Sequence, residues 1–134
     1  MEPAGGNPTG APRERFPRAA RIRKGEEIVH LLRRGNRERT PHLEVFFAPS
    51  SGGFPRYGTI VPKHRHTVVE RNLVRRRLRE IGRRTVLPAL AEAGCDLDVL
   101  VRARPSAYTV GFPELLAELA GITEGLCSKA SSSD

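Results

Sequence analysis

The chain has 134 residues, 38% of them hydrophobic and 28% charged, with a formal net charge of +8. That length allows one domain with a modest core and little room for a second, and the apolar fraction excludes a disordered polymer. The sequence pI of about 10.7 points to a polyanionic partner, nucleic acid before an anionic membrane.

Twenty of the 23 basic residues are arginine. Arginine offers a planar fork of donors that grips phosphate bidentately and stacks on bases, so the bias favours nucleic acid. The charge is also polarised. Residues 13–39 carry ten basic and four acidic side chains, residues 63–84 nine and two, and residues 85–134 three and seven. No apolar run approaches the roughly eighteen residues of a membrane span. The N-terminus lacks the apolar core of a signal peptide. Two cysteines, Cys95 and Cys127, do not make a disulfide framework, and both are expected as reduced thiols of a cytoplasmic protein.

Residues 1–17, rich in Gly, Pro and Ala, read as a flexible tail, and residues 123–134, ending in "SSSD", as another. Between them, residues 18–122 form the expected domain. Gly25 to Arg34 places Ile28, Leu31 and Leu32 on one helical stripe, with Gly35 at the position of a C-cap glycine. A short strand is expected near Arg37–Arg39. "HLEVFFA" (His42 to Ala48) alternates as a strand, with Leu43, Val45 and Phe47 on one face and His42, Glu44 and Phe46 on the other. "RYGTIVP" is a further strand ending at Pro62. Thr67 followed by Glu70 is a capping-box signature that opens a helix; Gly82 weakens that helix and Pro88 stops it. "DLDVLVRA" (Asp96 to Ala103) is a strand, and "PELLAELA" (Pro113 to Ala120) a helix with Pro in its first turn. The order implies an α+β two-layer sandwich of about four strands and three helices.

The helix after Thr67 is the most informative element. At 100° per residue, Leu73, Val74, Leu78, Ile81 and Thr85 gather into an apolar stripe with Leu73 at its edge. Asn72, Arg75, Arg76, Arg79 and Arg83 fall on the opposite side. Glu80 can pair with Arg76 or Arg84 but cannot neutralise four guanidiniums on one face. Such a ridge calls for phosphate. Asn72 among them can both donate to and accept from a sugar or base edge.

At these residues the sequence resembles the bacterial ribonuclease P protein subunit. "RNLVRRRLRE" is similar to that family's R-N-R motif, and the flanking segments, "RIRKGEEIVHLLRRGNRERTPHLEVFFAP", "RYGTIVPK", "CDLDVLVRARP" and "PELLAEL", follow in order. The resemblance covers about Arg21 to Ile122. It implies an α/β sandwich with a four-stranded mixed sheet and a left-handed βαβ crossover. It also implies a role as partner of a catalytic RNA whose bound Mg²⁺ ions remove the 5′ leader from precursor tRNA. Carried over by position, Arg71, Asn72, Arg75, Arg76 and Arg79 match the motif, and Lys63 matches the basic loop before it. Arg65 in that loop and Arg83 on the ridge complete the expected RNA contacts. Phe46, Ile28 and Leu32 fall at leader-cleft positions. The chain departs from the family pattern at Leu73, which replaces the second motif arginine. It departs again at Ile28 and Leu32, where Phe is usual, and at His66, which replaces a loop glycine.

No residue set suggests catalysis by the protein alone. Asp96 and Asp98 lack a third carboxylate and read as strand-entry residues; His64 and His66 lack zinc partners at usable spacing. The alternative function is a non-catalytic, ribosomal-type protein that binds structured RNA. DNA is not an expected partner, because no helix-turn-helix precedes the basic helix. Nor is a membrane, because the apolar stripe is needed for the core.

Overall fold

The computed structural model describes residues 18–22, 25–63 and 65–132. The elements, in chain order, are a 3₁₀ turn (Arg18–Ala20), α1 (Gly25–Arg34), β1 (Asn36–Arg39), β2 (Leu43–Pro49), β3 (Arg56–Ile60) and α2 (Val68–Ile81). They continue with a π-helical turn (Gly82–Val86), α3 (Leu87–Glu92), β4 (Leu97–Ala103), a 3₁₀ turn (Pro105–Thr109) and α4 (Phe112–Ser132). Because α2, the π-turn and α3 run on without a break, three helical rods lie against one sheet.

The sheet order is β1-β2-β4-β3. β1 pairs antiparallel with β2, β2 antiparallel with β4, and β3 parallel with β4. The parallel pair is joined through the α2–α3 rod, as adjacent parallel strands require a crossover connection. β2 alternates as its sequence demands. Leu43, Val45 and Phe47 join Val99, Val101, Leu78, Ile81, Leu115 and Leu119 in the main core beneath α2 and α4. Phe46 points to the other face, where it packs with Ile22, Leu31 and Leu100, flanked by Ile28 and Leu32 of α1.

Thr67 caps α2 as its sequence implies: Glu70 N–H donates to the Thr67 hydroxyl and Thr67 N–H donates to the Glu70 carboxylate. Pro88, however, does not end the rod. A proline lacks the amide proton and crowds the carbonyl four residues back. The turn just before it opens into π geometry, with Leu87 N–H reaching back five residues to Gly82 C=O, and the helix continues to Glu92. Gly82 is required by packing. A Cβ there would lie 2.2 Å from the Tyr57 ring, which is fully buried and donates from its hydroxyl to Leu78 C=O at 2.7 Å.

Two further expectations are corrected. The C-terminal residues 123–134 are not a tail through most of their length, since α4 continues to Ser132 and buries Thr123 and Leu126. The expected reduced thiols are instead a disulfide between Cys95, just before β4, and Cys127 on α4. The signal that would have revealed it is the extension of α4. A helix ending at Ala120 leaves Cys127 in a tail, whereas a continuous one carries it back over the core. The expected tail at residues 1–17 lies outside the described residues.

Candidate nucleic-acid interface

The site begins with how α2 is seated. Val74, Leu78 and Ile81 are buried, so the opposite side is turned outward. Asn72, Arg75, Arg76 and Arg79 line that side, and Arg75 donates to the Asn72 side-chain oxygen. Arg77 points elsewhere and donates to Val110 C=O at 3.0 Å, tying α2 to the link between the second 3₁₀ turn and α4. Leu73 departs from the expected stripe. It is 42% exposed and, with Val69 at 77%, forms an apolar edge beside the arginines. Arg83 belongs less to the ridge than the helical wheel implies: its side chain is 18% exposed and pairs with Glu80 at 2.5 Å. Glu80 also holds Arg84 at 2.7 Å, rather than Arg76. The Arg83 hydrogen bond and the charges of Arg83, Arg84 and Arg79 outweigh partial desolvation and keep the Glu80 carboxyl below its ordinary pKa.

The loop leading into α2 is braced. The Tyr108 hydroxyl donates to Pro62 C=O at 2.5 Å, and its ring stacks on His66 with centroids 3.6 Å apart. His66 in turn contacts Glu70 at 3.1 Å. Lys63 and Arg65 are exposed on this loop, whose turn is closed by His66 N–H donating to Lys63 C=O. The left-handed residue is Arg65, with φ of 65°, so the glycine-like conformation falls one position before His66. His64 lies outside the described residues. Arg71, half-buried beneath the ridge, has an Nε proton donor that is buried and lacks a hydrogen-bond partner in the structure. Burial raises the Tyr108 pKa, and the charges of Arg71 and Arg75 oppose that rise.

Ridge and expected cleft meet in one pocket of about 360 Å³, lined by Arg21, Ile22, Ile28, Tyr57, Gly58, Thr59, Arg75 and Arg79. Ile28 therefore shares a cavity with two motif arginines. Leu32 remains half-buried on α1. Phe46 differs from its expected role as a leader contact: it is 2% exposed and has no free ring face to offer a base.

The outer sheet face also carries residues that no local sequence pattern marks. Cross-strand register places Arg39, Glu44, Arg102 and Ile60 side by side in one row. The next row holds Arg37, Phe46, Leu100 and Gly58. Glu44 accepts from Arg102 at 2.7 Å and Arg39 at 3.1 Å, with Arg37 at 3.7 Å. Burial pushes its pKa up, but hydrogen bonds from Arg102 and Arg39 and their charges prevail, leaving it below the ordinary carboxylate value. Asp98, expected at the strand entry, is buried and held by Arg56 through two contacts of 2.9 Å, with Glu27 of α1 on the same guanidinium. Among the described residues, no group of three or more His, Cys, Asp or Glu side chains could hold a metal ion. Nor is any described helix long and apolar enough to cross a membrane.

The Ribonuclease P family model matches residues 16–126, spanning all four strands and the motif helix. The chain belongs to the ribonuclease P protein family. It is 34% identical over 107 residues to the ribonuclease P protein component of Acidothermus cellulolyticus, covering 77% of this chain and 84% of that one. The component from Syntrophobacter fumaroxidans is 33% identical over 110 residues, with 81% and 88% covered. In fold, the ribonuclease P protein of Thermotoga maritima superposes with a TM-score of 0.66 at 20% identity, covering 79% of this chain and 96% of that one. The Staphylococcus aureus ribonuclease P protein gives 0.66 at 21% identity, with 80% and 94% covered. The α+β sandwich with its four-stranded mixed sheet is thus the fold of ribonuclease P proteins.

Proposed function

We propose that this chain is the protein subunit of the ribonuclease P ribonucleoprotein. It docks on the catalytic RNA through Arg71, Asn72, Arg75, Arg76 and Arg79, with Lys63 and Arg65 on the preceding loop; Arg83, paired with Glu80, contributes charge rather than a direct contact. The single-stranded 5′ leader of precursor tRNA then lies along the outer sheet face beside α1, near Ile28 and Leu32. The Mg²⁺ ions that carry out hydrolysis are held by the RNA. The protein raises affinity for the precursor and positions the leader. It acts in the cytoplasm and needs neither DNA nor membrane.

The observation that carries this reading is the shared pocket. Arg75 and Arg79 from the motif helix and Ile28 from α1 open onto one cavity, so a strand leaving the catalytic RNA can pass directly from the ridge to the sheet. The ridge itself makes affinity electrostatic. If about six phosphates are neutralised, binding to the catalytic RNA falls by roughly three orders of magnitude between 50 and 200 mM salt. Filter binding across that range checks the docking claim, and a salt-insensitive complex would sink it.

A further inference from the structure

The family resemblance implies aromatic side chains facing the leader, but here Ile28 and Leu32 replace two of them and Phe46 is buried. What covers Phe46 is specific. The Arg102 guanidinium carbon lies 5.1 Å from the Phe46 ring centroid, over its face. Arg102 Nε and Nη2 both donate to Glu44 Oε1, at 2.9 and 2.7 Å. Glu44 is directly opposite Arg102 across the β2–β4 pair and itself only 7% exposed. Two donors on one buried carboxylate and a ring beneath restrain the guanidinium, whose side chain remains 33% exposed. A recess of about 300 Å³ adjoins it, lined by Glu44, Pro62, Arg102, Arg104 and Pro105.

We infer that Arg102, positioned by Glu44, is the base-stacking element of this protein and takes one nucleobase of a single-stranded RNA. The inference rests on the proposed function and names the contact by which its sheet face holds the leader. A guanidinium is planar, delocalised and weakly hydrated, so it stacks on bases where an ammonium does not. Its cation–π contact with Phe46 and its ion pair with Glu44 fix the orientation before RNA arrives, so less freedom is lost on binding. The role of Glu44 is positional. Arg37 and Arg39 on the same carboxylate leave the cluster net positive for the neighbouring phosphates.

The test is a double-mutant cycle on the assembled complex of protein, catalytic RNA and precursor tRNA. Leaders carrying a single abasic site at successive positions are compared with intact leaders, using wild-type protein and Arg102→Lys. With wild-type protein, one leader position should cost about tenfold in affinity when its base is removed, within the range for stacking one base. With Arg102→Lys, which keeps the charge, that position should cost nothing. Glu44→Gln should reproduce the loss, although it removes a negative charge beside the RNA and would tighten a purely electrostatic contact. The same base dependence persisting in Arg102→Lys, or none at any position in wild type, overturns the inference. Affinity for leaderless tRNA should be equal for all three proteins. A chain that fails to bind the catalytic RNA at all would instead refute the proposed function.

Discussion

Gly82→Ala would ordinarily help a helix, since alanine is favoured over glycine by roughly 0.8–1 kcal/mol in a helix interior. At this position the added Cβ would lie 2.2, 2.4 and 2.5 Å from three carbons of the Tyr57 ring. Tyr57 cannot swing aside easily. It is fully buried, and its hydroxyl donates to Leu78 C=O, one helical turn before Gly82. Overpacking of this kind costs about 1–3 kcal/mol, and more when the neighbour is pinned. Losing the buried hydroxyl's partner adds a further ~1–3 kcal/mol. Set against the propensity gain, a net loss of about 2–4 kcal/mol is expected, which lowers Tm by on the order of 10 °C for a domain of this size. Gly121→Ala is the matched control. It lies exposed in α4, with nothing within 4 Å of where its Cβ would stand, and should gain up to about 1 kcal/mol. Thermal and urea unfolding of the two variants compare directly. If Gly82→Ala proves as stable as Gly121→Ala, the contact between α2 and β3 that seats the arginine ridge has been misjudged.

Arg75→Ala and Arg79→Ala should each weaken catalytic-RNA binding and reduce the salt slope by about one, with little change in the thermal melt. Arg77→Ala should do the reverse, because its guanidinium is spent on Val110 C=O. Cys127→Ser opens a covalent link between residues 32 positions apart and should cost about 3–4 kcal/mol on a chain-entropy account, read as a lower urea midpoint. Glu118 bonds to Thr40 and His42; burial raises its pKa, but those hydrogen bonds outweigh it and hold the carboxyl below its ordinary value. Its folded pKa is therefore depressed. Its contribution is present above the ordinary carboxylate pKa of about 4.5 and is lost as pH falls through the folded value. Glu118→Gln should accordingly flatten the acid limb of stability against pH, and an unchanged limb would contradict this assignment.

The elements that were legible in the sequence are those whose physics is local. Thr67 and Glu70 announced the start of α2 because a capping box closes within four residues. The alternation of Leu43 to Phe47 announced both faces of β2 because the strand period is two. What the sequence hid depends on partners distant along the chain. Arg102 and Glu44 are 58 residues apart, and only the antiparallel register of β2 and β4 sets them side by side. The disulfide escaped because a helix expected to stop at Ala120 left Cys127 without a place. Pro88 misled because the rule that proline ends a helix overlooks a widened turn. Leu73 lay at the edge of the helical wheel, where a few degrees separate burial from exposure. The motif arginines were legible as a ridge, yet the diversion of Arg83 to Glu80 and of Arg77 to Val110 needed the neighbouring turns in place.

Under the proposed function, this chain makes a catalytic RNA a better processing enzyme. Cleavage of precursor tRNA by the cognate catalytic RNA, at low Mg²⁺ with and without the chain, is the decisive assay. Release of the 5′ leader at the mature end only when the protein is present is the predicted result. A protein that binds the RNA and leaves cleavage unchanged would contradict it and would fit a diverged RNA-binding module instead.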